Sequence, residues 1–195
     1  FASLEEFIAF ICGHPCYVLK DGDAFRPYQR PFTHYLAKHG PDFQTYLWHE
    51  HYTWNSARAR TEHSTIEIRP ACQQPQSESL AASALSLGFV EAAPAIAEYV
   101  ERVLGVDPWP TMLRYRKAVI HDGLRAQEPV KKFLSSLVQE AENGLRRRGR
   151  GEETFLGPIW ARLEERRAPA DRARALFVKK GMPALIEACR WNNTD

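Results

Sequence analysis

The chain reads as an α+β protein, and three observations carry that reading. Residues 65–69, Thr-Ile-Glu-Ile-Arg, alternate polar and apolar side chains with the period of a strand. Beyond Pro75 apolar residues recur at helical spacing almost to the end of the chain. The connections there are short and marked by proline or glycine. Strands and candidate site residues therefore fall in residues 1–76, and a helical part in residues 77–195.

Taken in order, Ser3-Leu4-Glu5-Glu6-Phe7 has the signature of a capped amphipathic helix over residues 3–12. An apolar segment, Cys16-Tyr17-Val18-Leu19, then stops at the turn signal Lys20-Asp21-Gly22-Asp23. Prolines 27, 31 and 41 bracket a possible helix at Phe32-Thr33-His34-Tyr35-Leu36. Ser77 is a reasonable cap for a long helix to Leu104 that Pro94 kinks or breaks. Further helices are expected at roughly 111–126, 130–148, 152–166, 169–179 and 182–190.

With 195 residues, 44% of them hydrophobic and 26% charged, the chain can bury a sizeable core. A net charge of +2 gives no whole-protein field demanding nucleic acid or an anionic membrane. No apolar run reaches the length of a membrane span, and no basic-then-apolar leader is present. Four scattered cysteines fit a reducing, cytoplasmic setting rather than a disulfide framework. Cys12-Gly13-His14-Pro15-Cys16 holds three possible zinc ligands, yet Cys12 continues the apolar Phe7-Ile8-Phe10-Ile11 stretch. Buried thiols are the simpler expectation.

On a strand Glu67 and Arg69 point one way, while Ile66 and Ile68 point the other and can anchor the strand to a core. A carboxylate suits a hard divalent cation and a guanidinium suits phosphate oxygens, so a metal–nucleotide is the first partner to consider. These five residues by themselves fit a mutual ion pair on a solvated sheet slightly better. Arg58 and Arg60 could grip an anionic substrate group. They share a face with Arg69 only if the backbone turns between them, and otherwise they are solvated charge. His49 and His51, two apart, share a face only on a strand, and helical zinc pairs need four-residue spacing. They read as structural or substrate-lining. Arg146-Arg147-Arg148-Gly149-Arg150 could contact RNA, but the run sits at a predicted helix C-terminus and lacks interleaved aromatics.

Trp54-Asn55-Ser56-Ala57-Arg58, then Thr65-Ile66-Glu67-Ile68-Arg69 and Cys72, resembles the carboxylate–amine ligase branch of the glutamate–cysteine ligase family. Pro75-Gln76-Ser77 opening an Ala/Leu helix, and Gly144-Leu145-Arg146-Arg147-Arg148-Gly149, extend the similarity over most of the chain. Ser64 stands where that pattern has a glycine, and Gln73 where it has an aspartate. The resemblance implies a glutamine synthetase-like catalytic domain that joins a carboxylate to an amine through an acyl phosphate made from ATP. It implies Glu67 as a ligand of magnesium (sometimes manganese) and Arg69 as the catalytic contact to the transferred phosphate. Arg58 and Arg60 are then candidate substrate or phosphate contacts.

Glutamate is the expected carboxylate and cysteine, or another amine, the acceptor. Further metal ligands belong to an amino-terminal half of such an enzyme. The chain is thus expected to be a carboxyl-terminal portion, inactive alone, with that half as its partner. The alternative is a non-catalytic helical binding module derived from the same scaffold.

Overall fold

In the computed structural model residues 3–190 are described, Lys20 and Asp21 by their backbone alone; Phe1 and Ala2, just ahead of the predicted capped helix, lie outside. The chain is a mixture of helix and strand, 67% helical with few short strands. It divides into two compact units, Phe1–Ala71 and Cys72–Asp195, so the division falls just ahead of the Pro75 signal.

In the first unit the Ser3 hydroxyl accepts the Glu6 N–H at 3.1 Å and starts helix α1, Leu4–Gly13. Strands β1 (Val18–Asp21) and β2 (Ala24–Pro27) pair antiparallel around Gly22, whose φ of 60° supplies the tight turn. Helices α2 (Phe32–His39) and α3 (Phe43–Tyr52) follow, the latter capped by the Asp42 carboxylate on the Gln44 N–H. Phe7, Ile11, Cys12, Cys16, Phe32 and Tyr46 form the core of this unit. Cys12 and Cys16 are free, buried thiols, and burial pushes both above the usual thiol range.

Strands β3 (Ala57–Arg60) and β4 (Thr65–Ile68) then form an antiparallel hairpin that places Arg58 opposite Glu67. One 3₁₀ turn over Thr61–His63 and a left-handed Ser64 (φ 51°) reverse the chain. The Arg69 N–H extends the ladder to the Ser56 carbonyl at 2.9 Å.

The second unit is helical among its described residues. A 3₁₀ turn, Gln76–Glu78, leads into α4 (Ala81–Glu91), so Ser77 lies in that turn and does not cap the helix. The chain breaks at Ala92 and resumes as α5 (Ala93–Leu104) with Pro94 in its first turn, where a missing N–H costs nothing. Helices α6 (Trp109–Asp122), α7 (Phe133–Arg148), α8 (Gly157–Glu165) and α9 (Pro169–Ala188) complete it. Gly181, at φ 77°, divides α9 where the sequence predicts two helices. One apolar cluster joins α4 and α7 to Leu156 and Ile159, and a second gathers Tyr115, Ala126 and Phe133.

Arg146 pairs with Glu142, and Arg148 reaches Glu91 at 2.7 Å and Glu152 at 3.2 Å. Two arginines of the basic run are thereby tied to carboxylates around the end of α7. Among the described residues no single helix is long and apolar enough to cross a membrane. One pair, Gln76–Glu91 with Ala93–Leu104, passes that test only jointly and is bent by 79°.

Candidate anion site on the β3–β4 hairpin

The turn through Ser64 brings Arg58, Arg60, Glu67 and Arg69 together. Arg58 and Glu67 are directly cross-strand, where side chains on one face stand close enough to pair. The Arg58 Nε and Nη2 lie 2.9 and 2.8 Å from Glu67 Oε2. Arg60 Nη1 approaches the same oxygen at 3.4 Å, while Arg69 Nε lies 3.5 Å from Oε1. Three cations thus surround one carboxylate. The Arg58 hydrogen bond, followed by the nearby positive charges, holds Glu67 below the usual carboxylate range.

Arg58 differs from the other two arginines. Its side chain is 1% exposed, and its Nη1 donates to the carbonyls of Glu50 (2.9 Å), His51 and Thr53 (3.3 Å). Those carbonyls end α3, where the dipole favours a cation; the Glu50 and Thr53 oxygens also accept backbone N–H groups, from Thr53 (3.2 Å) and Asn55 (3.3 Å). Arg58 therefore ties the hairpin to the C-terminus of α3, with its donors engaged inside the protein.

Arg69 is placed otherwise. Its guanidinium lies 4.6 Å from the centre of the Trp54 ring, in cation–π contact. Its Nη1 is shielded from water and has no hydrogen-bond partner, although the side chain as a whole is 27% exposed. A shielded guanidinium N–H without an acceptor is costly, and an anion would satisfy it.

The isoleucines do not serve as the core anchor the alternation suggests, since Ile66 is 67% exposed and Ile68 39%. The charged face is the one held against the protein, because Arg58 finds three helix-end carbonyls there. An ion pair with that many partners outcompetes two isoleucines for the inward position.

His49 and His51 lie on a helix, not a strand. His49 is buried, stacks on Phe32 at 4.5 Å, and its Nε2–H donates to the Ile11 carbonyl at 2.7 Å. Burial holds its pKa below the usual value of 6.5. It is structural; His51 stays exposed. Glu50 between them is buried too and accepts the Thr61 N–H (3.0 Å) and hydroxyl (2.5 Å) and the Tyr46 hydroxyl (3.3 Å). Burial, then the Glu50 charge, pushes the Tyr46 hydroxyl up to about 12. Glu50 thus fixes the start of the hairpin's turn. Its four-residue spacing from Tyr46 is the one sequence signal that could have found it. Trp54 heads the motif singled out in the sequence, but no local spacing marked it as the platform under Arg69.

Among the described residues no group of three or more histidine, cysteine or acidic side chains could hold a metal ion. Glu67 Oε1, approached by Arg69 at 3.5 Å, retains acceptor capacity and fits as a single oxygen donor. A magnesium octahedron needs more oxygens than this one residue can give. The hairpin by itself is better matched to an anion than to a cation. Comparison with models of known protein families found no match, and no curated protein matches the chain either.

Proposed function

We propose that the chain forms part of an ATP-dependent carboxylate–amine ligase of the glutamate–cysteine ligase type, in a glutamine synthetase-like domain. In this reading it is a carboxyl-terminal portion that works in the cytoplasm beside an amino-terminal half. The observation that carries the reading is Arg69, seated on Trp54 with Nη1 unpartnered and Nε beside Glu67.

ATP phosphorylates the substrate carboxylate, glutamate, and ADP leaves. The amine of cysteine, or of another acceptor, then attacks the acyl carbon and expels phosphate. Charge grows on the moving phosphoryl group, and a fixed guanidinium at that point lowers the barrier. Arg69 supplies that contact and Arg60 the neighbouring positive charge. Arg58 holds Glu67, and through it the other two arginines, in place. A magnesium or manganese ion, when bound, would neutralise phosphate oxygens. From this chain Glu67 would be its one ligand, with the others coming from phosphates, water and the rest of the enzyme.

The test is nucleotide turnover by the polypeptide that carries this chain. Phosphate release from ATP is expected to require glutamate and to fall by about 10²–10³-fold in Arg69→Met, the scale of losing one charge-stabilising donor. Release that is independent of glutamate, or unchanged in Arg69→Met, contradicts the proposal.

A second reading, a non-catalytic binding module, is favoured by one observation: Arg58 and Glu67 satisfy each other. It predicts no turnover and no nucleotide binding.

A further inference from the structure

The second unit contains a site that owes nothing to the hairpin or to the ligase reading. A cavity of about 420 Å³ is lined by Cys72, Gln74, Pro169, Leu176, Leu185 and Cys189, among other residues. Its two cysteines stand at the start of the unit and at the end of α9, and both are free and exposed. The Gln73 Nε2 donates to the Cys189 carbonyl at 3.2 Å, which brings the end of α9 against the residue next to Cys72. The α9 segment beyond Gly181 is set off from the rest of the helix by non-helical backbone at that glycine (φ 77°, ψ −177°), and Pro183 follows. A glycine with positive φ beside a proline is a natural pivot, because it interrupts the helical ladder.

We propose that Cys72 and Cys189 are a redox-responsive thiol pair whose disulfide latches the end of α9 over this cavity. The oxidant is a small organic disulfide. One protein thiolate attacks a sulfur of that disulfide, forming a mixed disulfide and expelling the first small thiolate. The second protein thiolate attacks the protein sulfur of the mixed disulfide and expels the other. The two protein thiols are oxidised, the reagent's S–S bond is reduced to two thiols, and the two protons pass to the departing thiolates. A disulfide needs the two Cα atoms roughly 5.5 Å apart, and the non-helical backbone at Gly181 is the joint about which the end of α9 would adjust to meet that requirement. Cys12 and Cys16 take no part, since both are buried in the first unit.

Hydroxyethyl disulfide added to the full chain, followed by proteolysis without reduction and mass spectrometry, tests the proposal. The expected product is one peptide pair joining Cys72 to Cys189, lighter by two hydrogens and carrying no hydroxyethyl group. Tryptic cleavage at Lys179 and Lys180, beside the pivot, should slow several-fold in the oxidised chain. A Cys189→Ser chain should instead keep the hydroxyethyl adduct on Cys72. Separate adducts on both cysteines of the unaltered chain, or links only between two chains, would overturn the pairing.

Discussion

Arg58 touches more of the hairpin's surroundings than any other residue described there, and its removal should be felt first in stability. Replacing it with methionine takes a donor from three carbonyls at the end of α3, of which Glu50 and Thr53 keep backbone N–H partners, and leaves Glu67 without its nearest cation. Losing one member of a buried, hydrogen-bonded charge network costs about 3–5 kcal/mol. Part of that loss is relieved here by solvent reaching Glu67, which is 34% exposed, so about 2–4 kcal/mol is expected from urea unfolding. A loss within 0.5 kcal/mol, the ordinary range for a surface substitution, would remove Arg58 from its structural role.

His49 gives a pH test. Its folded pKa is depressed below 6.5, so between the two values the unfolded chain binds more protons than the folded one. The stability tied to neutral His49 is therefore full above pH 6.5 and is lost as the pH falls from there through the folded value. Unfolding midpoints should drop over that window in the natural chain. In His49→Gln, which keeps a side-chain N–H donor but does not titrate, they should stay flatter. Equal pH slopes in the two chains would show that His49 does not carry the effect.

At the scale of elements, α4 and α7 approach closely because Gly88 and Gly144 face each other's helices. A Cβ on Gly88 would lie 2.8 Å from the Ala141 carbonyl oxygen and 2.9 Å from the Ala141 Cβ. Gly88→Ala should therefore destabilise by about 1–3 kcal/mol through overpacking. That outcome runs against the gain of about 1 kcal/mol that alanine brings to an exposed helix. Thermal unfolding decides it: a raised midpoint would mean the helices can separate without loss.

Most helices were legible in the sequence because proline and glycine punctuate them. The break near Pro94 and the division of α9 at Gly181 both fall where such residues stand. The pairing of β3 with β4 was less legible. Its register depends on the 3₁₀ turn and on Ser64 adopting φ 51°, a conformation glycine takes with less strain. The strand Thr65–Ile68 and the shared face of Glu67 and Arg69 could be read from alternation alone. Which face turns inward could not, because carbonyls at the end of α3 decide it through Arg58. Those contacts are set by tertiary geometry that no local spacing encodes.

On the scale of the whole molecule, two units carry different tasks in this account. The first presents three arginines around one carboxylate, and the second supplies helical packing and a cavity with two thiols. Glu67 alone cannot complete a metal site, so the proposed chemistry requires oxygen ligands from elsewhere in the enzyme. Without them the 195-residue chain should not turn over ATP.

The most direct measurement is calorimetric titration of ATP, with and without magnesium, into the polypeptide that carries this chain. Metal-dependent binding that weakens at least about tenfold (about 1.4 kcal/mol) in both Arg69→Met and Glu67→Gln is the predicted result. Binding of equal strength in all three proteins, or none in the unaltered one, would contradict the hairpin as the phosphate side of a ligase site.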